Sequence, residues 1–457
     1  MSAHSPAASQ GDARSIRKIV LAGSLGTLIE YYDWALYGYV AAIIAPLFFP
    51  GGDPTAALLS TLAVFALSYV IRPIGGIFFG AFGDKFGRRP ALLVTVVGIG
   101  LANTAIGFLP TYASVGVLAP ILLLIVRIAQ GFFAGGEVGG AATVITEAAP
   151  PGKKGWYASF VPVGTNGGFA IASAAVGLVS GLVTTSAMNE WAWRIPFWAG
   201  LPLTIVCFLA RRFLPRIDND ESPRHGFPLI SAFRSYPGPL IKGILLGIGV
   251  QGTAYVGATF LSIYLITSLH YAKTPVYWIT AGGTLFGVLM TPLAGRLVDR
   301  IGSVNVTIIG LATYAIVTYP ALVIMDFNNL FLAGVGYFVV AVNMATAQAG
   351  NYTLTPQLFG PEVRYTGTAL VTNVSVVIAG GTAPYICTWL VSSTGNLRSP
   401  YFFVLGVSLI GIATLLTMRR LNVAQGSRLG GEHADPGGQA HSPQFLSSDL
   451  PEAAGGR

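Results

Sequence analysis

Residues Gly80-Ala-Phe-Gly83-Asp84-Lys85-Phe86-Gly87-Arg88-Arg89 close one long apolar run, and Gly295-Arg-Leu-Val-Asp299-Arg300-Ile301-Gly302 closes another, with 215 positions between the two Asp residues. A second echo joins Lys153-Lys154-Gly155 to Arg364-Tyr-Thr-Gly367, offset by 210 from Lys154 to Arg364. Turn-and-charge motifs that recur at one long period mark two homologous halves, and such pairs place a substrate site at their interface near the bilayer midplane. The motif has a physical reading. Gly permits close approach of helix ends, Asp can face the positive end of a neighbouring helix, and the Arg residues can bind carboxylates across a closed gate. The expected gate comprises Gly80, Asp84, Gly87, Arg88, Arg89, Glu147, Asp299, Arg300 and Arg364, with Glu147 as the partner of Arg88 or Arg89.

The 457-residue chain is 53% hydrophobic and only 10% charged, against roughly 25% charged in a soluble domain. That excludes a soluble globular protein, and also a disordered or collagen-like chain. A helix crosses ~30 Å of hydrocarbon with about 20 residues. Division of the apolar runs predicts twelve spans near 18–48, 56–83, 90–109, 115–147, 155–185, 192–213, 239–269, 274–297, 303–325, 328–356, 362–393 and 399–419. The fold class is therefore an all-α membrane protein of twelve transmembrane helices in two pseudo-symmetric six-helix bundles. The bundles are residues 18–213 and 239–420, flanked by an N-terminal tail, 1–17, a hydrophilic central loop, 214–238, and a disordered tail, 421–457. With the N-terminus in the cytoplasm, 21 of the 26 Lys and Arg residues fall on the inside. The positive-inside rule thus places both termini in the cytoplasm and the chain in the cell membrane. The net charge of +8 is topological and implies no nucleic-acid partner.

Enzymatic chemistry has no support. His4, His225, His270, His433 and His441 all lie away from mid-membrane, Cys207 and Cys387 are isolated packing residues with no metal-ligand spacing, and no phosphate-binding Gly-x-x-x-x-Gly-Lys-(Ser/Thr) loop is present. Neither a metal nor a cofactor is expected. The N-terminal residues lack the apolar stretch and cleavage site of a signal peptide.

The signature Gly-x-x-x-Asp-(Lys/Arg)-x-Gly-Arg-(Arg/Lys) after the second span resembles the major facilitator superfamily of secondary transporters. Glu30-Tyr-Tyr-Asp33-Trp-Ala-Leu-Tyr37-Gly38, Arg72-Pro-Ile-Gly75-Gly76, Arg127-x-x-Gln130-Gly131-x-x-x-Gly135-Gly136-Glu137-x-Gly-Gly140 and Trp193-Arg194-Ile-Pro196-Phe197 together look like its metabolite:proton symporter branch. Members of that branch carry shikimate, oxoglutarate, citrate and other organic acids, or proline and betaine. The resemblance implies a functional monomer in the bilayer that imports a small polar metabolite with protons by alternating access. An organic acid is the leading substrate, with a proline/betaine-type osmolyte, an uncoupled uniporter and a proton-driven exporter as alternatives. The tail shows no heptad pattern, unlike that of osmosensing proline/betaine members.

Ionisable side chains inside the hydrocarbon are expensive and therefore functional candidates. They are Glu30 and Asp33 in the first span, Arg72 in the second, and Arg127 and Glu137 in the fourth. At ~1.5 Å per residue, Glu30 and Arg72 lie at similar depth and can pair, and Asp33 and Arg127 form a second expected pair higher up. In that reading Asp33 releases Arg127 on protonation, as the resemblance implies for a first-helix Asp and fourth-helix Arg. The expected proton-coupling set is Asp33, Arg127, Glu30 and Glu137; Glu137 serves equally as a buried acceptor, and Arg72 as a brace for a distorted helix. Substrate contacts are expected from Arg72, Arg127, Tyr37, Gln130, Gln251, Tyr255, Asn343 and Asn351. The cluster Tyr31, Tyr32, Trp34, Tyr37, Tyr39 is expected to wall a cavity, where rings can also face a quaternary ammonium.

Overall fold

The computed structural model describes residues 7–86, 88–135, 140–213, 233–360 and 363–429, and among them the chain is helical nearly throughout, with no strand. Among the described residues, ten helices are long and apolar enough to cross a membrane. The helix Arg88–Ile106 and the first helix, Ala7–Phe48, complete twelve. Glu30, Asp33 and four tyrosines interrupt the apolar run of the first helix, so hydropathy alone undercounts it.

The second span is two helices, Pro54–Val70 and Arg72–Phe86. The break at Ile71 has a cause in Pro73, which lacks the N–H needed to continue the ladder and crowds the preceding turn. The fourth span runs Leu118–Gly135 and resumes as Gly140–Ala148. The fifth comprises Lys154–Ala158 and Phe160–Leu182, and the sixth is Ile195–Phe213. The seventh, Pro237–Tyr255, passes through a π-helical turn at Val256–Phe260 before Leu261–Thr267. The eighth to tenth are Lys273–Ile301, Ser303–Met325 and Leu330–Leu354. The eleventh, Arg364–Ser375, has a second π turn at Val376–Gly380 and continues as Ala383–Thr394. The twelfth, Pro400–Leu429, runs past the boundary expected at residue 420. Most of the expected central loop, residues 214–232, and most of the expected tail, residues 430–457, lie outside the described residues. By internal contacts the chain forms two units, Met1–Leu415 with all the packing discussed below and Leu416–Arg457, helical as far as Leu429.

Within the first half the first span packs on the fifth, the second on the fourth, and the third on the fourth and sixth. Within the second half the eighth and ninth pack on the tenth, and the seventh on the eleventh. Between the halves the second span meets the eleventh and the fifth meets the eighth. A relation that exchanges each span with the one six places on turns the first of these contacts into the second, as a pseudo-twofold requires.

Glycine sets how closely these helices approach. A Cβ on Gly131 would fall on the Ser68 carbonyl, and one on Gly135 on the Arg72 carbonyl, so the fourth helix lies backbone to backbone against the second at its break. That contact seats Arg72 and Arg127 side by side. Gly131→Ala is therefore expected to cost about 1–3 kcal/mol through overpacking, lowering the thermal midpoint of purified protein by several degrees. Gly406→Ala, where the added methyl meets nothing within 4 Å, is expected to leave it unchanged or slightly raised.

Candidate functional site

The polar centre is built around one indole. Arg72, at the start of the helix after the break, donates through Nη2 to Oε1 of Glu30, and both side chains are buried. The Arg72 guanidinium carbon lies 5.0 Å from the Trp34 ring centroid and 5.6 Å from that of Tyr69. Arg127, fully buried on the fourth helix, donates to Gln130 Oε1 at 2.5 Å and to Ser68 Oγ at 2.8 Å. Its guanidinium lies 4.8 Å from the Trp34 ring, 4.3 Å from Tyr37 and 5.3 Å from Phe65. Arg72 thus has a carboxylate. The printed hydrogen bonds of Arg127 go to neutral groups, and among the described residues it makes no salt bridge.

Four buried N–H groups around this indole, Trp34 Nε1, Arg72 Nε, Arg127 Nε and Gln130 Nε2, have no acceptor among the described residues. An unsatisfied buried donor costs about 1–3 kcal/mol. Each is a donor that an acceptor brought to it would satisfy.

The expected Glu30–Arg72 pair is brought together, whereas the expected Asp33–Arg127 pair is not formed. Asp33 accepts from Asn103 Nδ2 of the third span at 2.8 Å, beside Gly200 of the sixth, where a Cβ would meet both side chains. The cause is angular. At 100° per residue Asp33 lies about 60° round the helix from Glu30 and about 100° from Trp34, and it is Trp34 and Tyr37 that reach Arg127. Tyr37 donates to the Thr61 carbonyl at 3.0 Å, and Asn351 accepts from Thr355 at 3.1 Å. Asn343 turns back to the Val339 carbonyl of its own helix at 2.7 Å and is not gathered into the site. Glu137 and Gly87 lie outside the described residues, as do the side chains of Asp84, Arg88 and Arg89. Cys207 and Cys387 are buried and form no disulfide among the described residues.

An aromatic path leads from the arginines into the second half. Trp34 packs on Tyr69 at 4.2 Å, Tyr69 on Tyr255 at 5.8 Å, Tyr255 on Phe169 at 5.8 Å and Phe169 on Tyr31 at 5.7 Å between ring centroids. The Tyr69 and Tyr255 hydroxyls share a hydrogen bond of 2.9 Å across the halves. Gly380, the last residue of the second π turn, and Gly381 directly after it leave room for these rings: a Cβ on either would meet Tyr255 or Tyr69. Tyr352 lies against Gln251 and Tyr31, and Asn166 Nδ2 donates to Gln348 Oε1 at 2.8 Å between the fifth and tenth spans.

Both ends of this centre are bonded across the halves. At the end carrying Lys153, Lys154, Arg296 and Arg300, the basic end, Asp299 accepts from the Gly155 N–H at 2.6 Å and the Trp156 N–H at 2.9 Å. Gly155 and Gly295 pack against each other's carbonyls beneath it, and Arg296 lies 4.3 Å from the Trp156 ring. Glu147 meets Arg364 at 2.8 Å, a partner from the opposite half rather than the expected Arg88 or Arg89. Arg300 is exposed. At the other end Ser180 bonds Thr274 at 2.7 Å, and Lys273 donates to Asn189 at 3.0 Å.

Sequence reasoning missed Asn103, Ser68, Phe65, Tyr69, Asn166 and Phe169. A usable signal existed for two: Asn103 and Asn166 are the only amide side chains of the third and fifth spans, and a lone amide in hydrocarbon needs a partner.

Residues 19–227 match the family model described as "Sugar (and other) transporter", and residues 244–444 the one described as "Major Facilitator Superfamily". The chain is 33% identical over 424 residues to a "Proline/betaine transporter" of Escherichia coli (strain K12), covering 89% of this chain and 84% of that one. It is also 33% identical over 423 residues, with the same coverage, to the "Glycine betaine/proline/ectoine/pipecolic acid transporter OusA" of Dickeya dadantii (strain 3937). Among solved structures, the proton:xylose symporter XylE bound to 6-bromo-6-deoxy-D-glucose is similar with a TM-score of 0.69 at 17% identity, over 90% of this chain and 96% of that one.

The two basic-end contacts differ in weight. The Glu147–Arg364 pair, with side chains 46% and 26% exposed, contributes at most about 1 kcal/mol. The Asp299 cap satisfies two helix N-terminal donors and contributes about 0.5–2 kcal/mol. Asp299→Ala is thus expected to speed thiol labelling of a Ser159→Cys reporter, which packs on Gly295, several-fold. Glu147→Gln is expected to change that rate by less than about fivefold.

Proposed function

The chain belongs to the major facilitator superfamily, whose members here are transporters and not enzymes, and within that family we propose that it carries a small carboxylate-bearing zwitterion of the proline/betaine type together with protons. The observation that carries this reading is the set of four acceptor-less N–H groups around Trp34 beside a guanidinium with neutral partners. A carboxylate satisfies those donors and neutralises Arg127 through charge-assisted bonds. The adjoining faces of Tyr69, Tyr255, Phe169 and Tyr31 offer the environment that attracts an ammonium group. Relatives named for proline, betaine and ectoine support the same substrate class. An organic acid, the leading substrate expected from sequence, shares the carboxylate. It brings, however, no ammonium group to those ring faces.

Proton coupling rests on Asp33, a carboxylate 1% exposed and bonded to Asn103 between the first, third and sixth spans. Protonation there changes the packing of the first half without touching the substrate carboxylate. Alternating access follows if the Asp299, Glu147 and Arg364 contacts at the basic end and the Ser180, Thr274 and Lys273 contacts at the other end open in turn. The positive-inside rule supports placing the basic end in the cytoplasm, and import is the direction in which an inward proton gradient would drive such a symporter. The chain works as a monomer, because each half completes the other's site.

Proteoliposomes loaded with a pH-sensitive dye test this. Glycine betaine and proline are expected to enter with protons, and citrate and oxoglutarate to produce no signal; proton-linked citrate entry without betaine entry would restore the organic-acid reading. Arg127→Gln is expected to raise the half-saturating betaine concentration roughly 10- to 100-fold, the loss of a charge-assisted pair of about 1.5–3 kcal/mol. Asp33→Asn is expected to keep counterflow exchange but lose accumulation driven by a pH gradient; undiminished accumulation would remove Asp33 from the coupling.

A further inference from the structure

The aromatic path between the halves carries one polar element that the zwitterion reading leaves unused, the hydroxyl pair of Tyr69 and Tyr255. Both side chains are buried, Tyr69 0% and Tyr255 2% exposed. Their rings are held in place, Tyr69 by Trp34 and Phe65 at 4.2 and 5.2 Å between centroids and Tyr255 by Phe169 at 5.8 Å. Gly381 and Gly380 close on the two rings from the eleventh span. The hydroxyls share one hydrogen bond of 2.9 Å, in which either oxygen can donate. A phenol both donates and accepts, so one shared bond leaves a hydrogen and further lone pairs to spare. Among the described residues no third group takes them up. Both hydroxyls lie within electrostatic reach of Arg72 and Arg127, yet the guanidinium bonds run to Glu30, Gln130 and Ser68. Tyr31, farther along the path, differs in having Tyr352 beside it, which also lies against Gln251.

We propose that the Tyr69–Tyr255 hydroxyl pair sets the preference of the site for N–H-bearing over fully N-methylated zwitterions. This inference rests on the zwitterion reading above and carries it from the charges of the substrate to the hydrogens on its nitrogen. A quaternary ammonium needs only ring faces. A secondary ammonium such as that of proline brings N–H donors out of water, and each needs an acceptor. Ring faces supply none, whereas the two phenol oxygens do, one from each half. A charge-assisted bond from the substrate N–H is stronger than the neutral bond between the hydroxyls, so the pair accepts on its spare lone pairs or parts to do so. With a fully methylated substrate the hydroxyls stay bonded to each other, and the rings form an unbroken aromatic wall.

Proline, N-methylproline and N,N-dimethylproline share one ring and one carboxylate and differ in the number of N–H groups, which falls from two to none. Calorimetric titration of the purified full-length chain reads the affinity for each. The double variant Tyr69→Phe/Tyr255→Phe keeps both rings and removes both oxygens. Its affinity for proline relative to N,N-dimethylproline is expected to fall at least about fivefold below the wild-type ratio, with N-methylproline between. A smaller fall, or an equal loss for all three as a purely structural bond between the halves would give, overturns the proposal and leaves the zwitterion reading standing. A wild-type chain that binds none of the three, nor glycine betaine, overturns that reading itself. Should the double variant fail to fold, Tyr255→Phe alone leaves one oxygen and is expected to lower the ratio at least about twofold; an unmoved ratio overturns the proposal.

Discussion

A guanidinium inside a bilayer must carry its own solvation with it, and this chain places two of them on one indole. Even insertion scales charge on the order of 2.5–3.5 kcal/mol for each such group. The surroundings of Arg72 and Arg127 read as the answer to that cost: one carboxylate from Glu30, neutral oxygens from Ser68 and Gln130, and four aromatic faces. Much of the first half follows. The break at Ile71 turns Arg72 inward, Gly131 and Gly135 let the two arginine-bearing helices touch, and Gly381 of the other half clears the space Tyr69 needs. Solvation is adequate without being complete, and the donors left over are those the proposed substrate carboxylate would satisfy.

Depth along a helix is legible in a sequence because the rise per residue hardly varies. Glu30 and Arg72 were expected at one level and are found bonded. Azimuth is less legible. Asp33 and Arg127 also share a level, but Trp34 and Tyr37 fill the sector between them, and Asp33 turns to Asn103. A difference of a few tens of degrees decided the partner, and it depends on kinks and neighbours that no periodicity encodes. The ninth span was read to its final residue, since Ser303–Met325 is bounded by turn residues. The π turns at Val256–Phe260 and Val376–Gly380 were not read at all. They leave the apolar pattern intact and shift only the register, yet the second delivers Gly380 and Gly381 to the aromatic path.

The repeat that decided the fold also carries a contact between the halves. Asp299, in the second copy of the motif, binds the N-terminal N–H groups of the fifth span rather than an arginine. Dipole and hydrogen bonds then act together at a place where Gly155 and Gly295 let backbones meet. Such a contact is modest in energy, as the gate role proposed for it would require. Ion pairing at the exposed Glu147–Arg364 site adds register more than strength. Contacts of similar size at the other end, Ser180 with Thr274 and Lys273 with Asn189, keep the halves balanced about the polar centre.

The central claim is that the donors around Trp34 hold the substrate's carboxylate. An experimentally determined structure of the full chain with glycine betaine bound tests it most directly. The account requires the carboxylate within hydrogen-bond distance of Arg127 and Trp34 Nε1, with the trimethylammonium group against the rings of Tyr69, Tyr255, Phe169 and Tyr31. Betaine bound elsewhere, with those donors still without an acceptor, would contradict it.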